Sequence, residues 1–269
     1  MIDGQAYLWS LLAILTLSLL FWLVSLVKRD VSVVDSAWSL LFLSGLAAYI
    51  AASPAHGPRT LLIAALVAVW AVRLSTYITW RNWGEGEDRR YQAMRRKHDP
   101  GFALKSIVLV FGLQGLLAWV IALPLVAAVA GTGSLQALDY AGVALWTLGM
   151  LFEAIGDYQL ARFKAQPQNR GKVMDQGLWR YTRHPNYFGE CCIWWGFYLL
   201  ALAAGGWWTL LSPVIMTFLL LRVSGVTLLE RDIGQRRPDY RDYVQRTSAF
   251  FPRPPRPVNG SVSRPGVQP

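Results

Sequence analysis

The sequence predicts an all-α, polytopic membrane protein. The expected architecture is a bundle of about seven transmembrane helices, with the N-terminus outside and the C-terminus cytoplasmic. Three observations carry this. Hydrophobic residues make up 54% of the 269 and charged residues only 16%, where a soluble domain carries about 25% charged residues. The apolar residues come in runs of the ~20 residues that a bilayer crossing requires. Lys and Arg fall almost entirely in alternate loops.

The first run, about 5–27, is free of charge and ends on "KRD" at 28–30. It is too long and too weakly basic at its start for a cleaved signal peptide, and no small-residue cleavage pattern follows, so it reads as a retained helix. The second run, about 31–52, carries Asp35 near its start. The third, about 60–82, contains Arg73, and the fourth, about 106–130, includes Pro124. The fifth, about 140–160, holds Glu153 and Asp157. From Phe188 to Arg222 the apolar stretch is too long for one crossing, and "AAGGWW" at 203–208 is its natural turn, giving helices six and seven.

Seven spans place 28–30, 83–105, 161–187 and the C-terminal tail on one side, with nearly every Lys and Arg. The positive-inside rule makes that side the cytoplasm. Arg59 is the exception in the opposite loops. The net charge of +10 is thereby accounted for as a topology signal, and no nucleic-acid-binding motif accompanies it. Residues 1–252 form a single integral membrane domain in this reading. The tail 253–269, rich in Pro and Gly, reads as disordered. Cys191 and Cys192 are neighbours on an apolar helix, expected to be core thiols and not a metal pair.

Ionisable residues inside spans are costly, so they should face the bundle interior and serve a purpose. Asp35, Arg73, Glu153, Asp157 and Glu190 qualify by position, and structural pairing, for example of Arg73 with Asp35, is the plain alternative. Glu153 and Asp157 lie four apart on one helix face. A cation or hydrogen-bond donor should sit between such acids. Arg162, Lys164, Arg170 and Lys172 follow, suited to a polyphosphate or to topology alone. In "GLWRYTRHPNYFGE", Gly177 to Glu190, the His184–Pro185 step disfavours helix before it, and Pro185 suits the first position of helix six. Asn186 and Glu190 then share a face of a helix start whose N–H groups favour an anionic ligand. "GEGED" at 84–88 lacks the spacing of a phosphate loop. No Rossmann unit, nucleophile elbow or His/Cys metal spacing is present, and His56 and His98 sit in loops.

"GLWRYTRHPNYFGE", followed by an apolar helix pair and then "LLERDIGQRRPDYRDYVQRTSAFFP" at 228–252, resembles the C-terminal half of the steroid 5-alpha-reductase family, closest to its bacterial branch of unknown function. "RLSTYITWRNWGEGEDRRYQAMR" at 73–95 is similar to that branch too. The shorter pattern Arg183-His184-Pro185-x-Tyr187-x-Gly189 is shared with isoprenylcysteine and phospholipid methyltransferases. The resemblance implies seven membrane helices, NADPH held on the cytoplasmic side, and hydride transfer to a carbon–carbon double bond conjugated to a ketone. It implies a cofactor site at Asp157, Lys164, Lys172, Arg183, His184, Asn186, Tyr187, Glu190 and Arg222, with Glu230 where reductases have Tyr. On the substrate side a Gln-Glu pair is replaced by "VVDSAW", leaving Asp35 as a protonated donor at a developing enolate. The family's helix-three Tyr aligns with Trp70, leaving Tyr77 as its replacement. The expected partners are membrane lipids and a lipophilic substrate entering from the bilayer of a bacterial inner membrane. Methyl transfer from S-adenosylmethionine is the alternative chemistry, and a transporter, which no inverted repeat supports, is the third class.

Overall fold

The computed structural model describes residues 2–54, 56–223 and 239–257. It is all-helical among them. The long helices are α1 (Gly4–Lys28), α2 (Val33–Ala52) and α3 (Pro58–Arg81), then a short α4 (Arg89–His98) and α5 (Phe102–Ala130). α6 (Ala137–Ala165), α7 (Pro185–Ala203), α8 (Trp207–Val223) and a short α9 (Tyr240–Arg246) follow. α1, α2, α3, α5 and α6 are long and apolar enough to cross a membrane. α7, with 19 residues, is roughly 28 Å long at 1.5 Å per residue, close to the ~30 Å hydrocarbon thickness.

The chain forms two compact units. One comprises residues 1–146 and 194–216, the other 147–193 and 217–269. In the first, α1 packs along α2, α2 along α3, and α1 also meets α5. The buried stripe of α1 is small: Ala6, Ser10, Ile14, Ser18 and Ser25. Such residues let helices approach closely in lipid, where packing rather than water exclusion holds them together. A Cβ on Gly45 of α2 would lie 2.7 Å from Ile14 Cδ1. The opposite face of α1 exposes Leu8, Leu12, Leu19, Leu23 and Val27, the inverse of a soluble helix and what lipid contact requires. Capping also follows from residue type. Asp3 Oδ1 accepts from the N–H groups of Gln5 and Ala6 at 2.9 and 3.0 Å, and Arg29 closes α1 in the left-handed region at φ 54°.

At the heart of this unit Phe42, Trp70, Trp194 and Phe197 pack ring against ring, with Phe42 and Trp194 centroids 4.7 Å apart and Trp70 edge-on to Trp194 at 5.6 Å. Trp70 is fully buried there, which gives it a packing role.

The exceptional Arg59 is not a loop charge. It is 1% exposed and forms a two-pronged ion pair with Asp139, Nε to Oδ1 and Nη2 to Oδ2 both at 2.7 Å. Its remaining donors reach the carbonyls of Gly131 and Ser134, and Asp139 also accepts from the Gln136 N–H.

α4 is an addition to the sequence reading, which leaves 83–105 as a loop. Asp88 caps it by accepting from the Arg90 N–H at 2.8 Å. Glu87 grips Arg95 with both oxygens, at 2.7 and 2.9 Å, and accepts from the Val31 N–H at 3.0 Å. Glu87 and Asp88 of "GEGED" are therefore a clamp and a cap. Burial pushes the Glu87 carboxyl up more than any single partner pulls it down, but the Arg95 hydrogen bond, the Val31 N–H and the Arg95 charge together outweigh it and hold it below the ordinary carboxylate range. A depressed folded-state pKa contributes stability that is present above the unfolded value and lost as pH falls through the folded one. Amide exchange over residues 88–98, corrected for intrinsic rates, should show protection that is constant above about pH 5 and declines below it. Glu87→Gln should show low protection at every pH. Retained protection in that variant would place the hold on α4 elsewhere.

Residues 253–256, expected within a disordered tail, are tied down. Arg253 N–H donates to Tyr181 O at 3.0 Å and Arg256 N–H to Arg246 O at 2.9 Å. Residues 258–269 lie outside the described residues.

Candidate functional site

The second unit holds the acids and the His-Pro elbow that the sequence singles out. Their meeting is made possible by glycine. A Cβ on Gly149 of α6 would lie 2.5 Å from Gly189 O of α7, and one on Gly189 would lie 2.5 Å from Gly149 O. Two turns on, a Cβ on Gly156 would lie 3.1 Å from Pro185 Cγ. Helix backbones this close leave no room for side chains at the crossing, so the residues beside it are brought together. A Cβ on Gly189 would stand 3.0 Å from the Glu153 Cβ, and Asn186 Nδ2 donates to Asp157 Oδ1 at 3.2 Å.

The elbow before α7 is locked from three sides. Trp179 Nε1 donates to Gly156 O at 3.0 Å, and the Leu178 N–H donates to Gln159 Oε1 at 2.9 Å. Gly177, at φ +58°, presses on that same glutamine amide, where a side chain would be both strained and obstructed. The C-terminal segment closes the third side: Arg183 N–H donates to Ser248 O at 2.9 Å, Thr182 Oγ1 to Phe250 O at 2.8 Å, and Tyr243 Oη to Trp179 O. His184 stands at the N-cap position, its carbonyl accepting the Phe188 N–H at 3.0 Å, and Pro185 opens the helix. The His184 and Tyr187 rings lie parallel with centroids 5.7 Å apart.

Glu153, Asp157, His184 and Glu190 are all below 9% exposed, at 2, 4, 5 and 7%. Buried carboxylates in an apolar helix pair need N–H or O–H donors or a cation. Arg183 is also buried, and its Nη1 donates to Thr247 O at 2.6 Å and Val244 O at 3.2 Å. The sequence assigns it to the cofactor, and these bonds also make it a brace for the C-terminal segment. Lys164, Lys172 and Arg222 are exposed. Glu230 lies outside the described residues. Among the described residues no group of three or more His, Cys, Asp or Glu is placed to hold a metal ion. Cys191 and Cys192 are buried free thiols.

The two substrate-side residues belong to the first unit. Asp35 does not pair with Arg73. Its Oδ2 accepts from Arg90 Nη2 and its Oδ1 from Tyr91 Oη, each at 2.7 Å. Burial, and then the Asp35 charge, push the Tyr91 phenol up, so it stays protonated and donates. With Oδ2 accepting from Arg90 and Oδ1 from Tyr91, Asp35 ties the start of α2 to α4. Tyr91 packs into an apolar cluster with Val31, Val34 and Phe102. Tyr77 is half-buried, with Arg73 and Arg81 over its ring at 5.3 and 5.8 Å.

Sequence reasoning missed three things: the Arg90–Tyr91 hold on Asp35, the lacing by residues 243–256, and the glycine crossing. A signal for the last was present. Gly142, Gly149 and Gly156 recur every seven residues on α6, as do Gly189 and Gly196 on α7.

A family described as "Protein of unknown function (DUF1295)" matches residues 21–247. An uncharacterized protein of Schizosaccharomyces pombe is 27% identical over an alignment covering 86% of this chain and 75% of its own length. No solved structure matches.

Proposed function

The chain belongs to the DUF1295 family, and we propose that it is a membrane reductase using NADPH to saturate the carbon–carbon double bond of an enone-bearing lipid. The observation that carries this is the polar set at the start of α7, with Asp157, His184 and Glu190 buried and Asn186 and Tyr187 half-buried, built on a helix crossing too tight to be incidental. The residues fit the cofactor. Its ribose hydroxyls and carboxamide N–H groups can donate to carboxylates such as Asp157 and Glu190. Its phosphates match Lys164, Lys172 and Arg222, which stay exposed. Arg183 supports the site by fixing the elbow.

Bound there, NADPH supplies a hydride to the β-carbon of the enone. The chain then has to stabilise charge developing on the ketone oxygen and deliver a proton. The family resemblance gives that role to Tyr77, since Asp35 is engaged by Arg90 and Tyr91. The Arg73 and Arg81 guanidiniums beside the Tyr77 ring favour a developing phenolate. The lipid reaches the site from the bilayer of the inner membrane in which the helices sit. Methyl transfer from S-adenosylmethionine is the second reading, favoured by the three buried acids Glu153, Asp157 and Glu190, which suit a sulfonium.

The assay is NADPH consumption by the purified protein given enone-bearing lipids. Turnover should disappear in Glu190→Ala. In Tyr77→Phe, kcat should fall by roughly 10²–10³ with NADPH affinity unchanged. Full activity in Tyr77→Phe would remove Tyr77 from the chemistry.

A further inference from the structure

Four arginines of the second unit find no use in the proposed reaction. The loop 175–180, the end of α9 and the strap 253–257 enclose a groove of about 630 Å³ lined by Asp175, Arg180, Arg246, Thr247 and Arg256. A second groove of about 280 Å³ adjoins it on Arg246 and Arg256 and adds Arg253. Arg183, bonded to the Thr247 carbonyl, also lines the second groove, so five guanidiniums stand along the two grooves with one carboxylate, and that carboxylate is already paired, Asp175 Oδ2 with Arg246 Nη2 at 2.7 Å. Arg246 Nε is buried with no hydrogen-bond partner. The side chains of Arg180, Arg253 and Arg256 are exposed and make no hydrogen bond or ion pair among the described residues.

The strap has a fixed depth. Phe251, 61% exposed, lies edge-on to Phe188 at 6.2 Å, and Phe188 belongs to the first turn of α7. Arg253 and Arg256 follow within five residues, their backbones tied to Tyr181 and Arg246. An exposed aromatic at the mouth of a membrane helix, with arginines just beyond it on the polar side, is the order in which a protein surface meets the acyl boundary and then the headgroups.

We infer that this groove binds the phosphate of an anionic phospholipid headgroup, with Arg180, Arg246 and Arg256 as its ligands and Phe251 against the acyl region. Guanidinium forks match phosphate oxygens in pairs, and the Arg246 Nε is the donor such a ligand would satisfy. The site is independent of the proposed cofactor site, because it draws on none of the residues assigned there.

The experiment uses the full chain, delipidated in detergent and offered phosphatidylglycerol and phosphatidylcholine in equal amounts, with bound lipid read by native mass spectrometry. Phosphatidylglycerol should be retained in preference. The double variant Arg180→Gln/Arg256→Gln should lower its retention by about fivefold per arginine and leave phosphatidylcholine unchanged. Because neither side chain carries an internal bond, the variant should melt as the parent does in phosphatidylcholine. On the parent alone, retention should fall as salt is raised, which tests the inference without any variant. Equal retention of the two lipids, equal retention by parent and variant, or insensitivity to salt would overturn it. So would stabilisation by inorganic phosphate equal to that by phosphatidylglycerol, which would make the ligand a free phosphate.

Discussion

Arg59→Ala is expected to destabilise the protein by ~3–5 kcal/mol, the cost of leaving one partner of a buried ion pair unmatched. The Asp139 carboxylate would lose both of its 2.7 Å bonds from Arg59 and keep the Gln136 N–H. The carbonyls of Gly131 and Ser134 would each lose a donor. No water-filled surroundings are at hand, since Arg59 and Asp139 are 1 and 0% exposed. Stability in mixed micelles against added denaturing detergent measures the loss. Arg59→Met with Asp139→Leu should recover most of it, because two apolar groups of similar shape leave no buried charge behind. A loss in Arg59→Ala below about 1 kcal/mol, the range of an exposed pair, would mean that water reaches this end of the helices.

Glu190→Ala is expected to abolish stabilisation by the cofactor while the unliganded protein remains folded. The carboxylate is 7% exposed on an apolar helix, a position where a neutral residue packs at less cost. A residue kept there at the expense of stability is the signature of a binding site. Arg183→Ala should do the opposite. Its Nη1 serves the Val244 and Thr247 carbonyls, so its removal should lower the stability of the unliganded protein first and weaken cofactor binding only as a consequence. The two variants therefore separate residues that touch the ligand from residues that position them. If both lost stability alike, Glu190 would be a structural acid and the site would have to be drawn elsewhere.

Much of the fold was legible because apolar run length is a direct physical requirement of the bilayer. The expected spans 31–52 and 60–82 end within two residues of α2 and α3. The turn expected at 203–208 falls between α7 and α8. α4 escaped notice because its residues are largely charged, and a helix on the polar side leaves no hydropathy signal. The pairing of residues was less legible than their presence. Asp35 was singled out as costly, yet its partners are Arg90 and Tyr91, 55 and 56 residues away, and not the Arg73 suggested by span geometry. Spacing reports which residues share a face of one helix, and nothing in it reports which face of another helix arrives opposite. The Asn186–Asp157 contact is the converse case, where the glycine repeat specified the crossing and the polar residues beside it followed. Arg183 shows that a buried arginine serves carbonyls with the same donors it would offer a phosphate.

The central claim is that the polar start of α7 holds a dinucleotide. Thermal stability of the detergent-purified chain, titrated separately with NADPH and with S-adenosylmethionine and repeated on Glu190→Ala, tests it most directly. The account predicts that NADPH at 100 times its Kd adds about 2.7 kcal/mol, that S-adenosylmethionine adds nothing, and that the variant loses the gain. Stabilisation by S-adenosylmethionine and not by NADPH would contradict it, and would assign the same residues to a lipid methyltransferase.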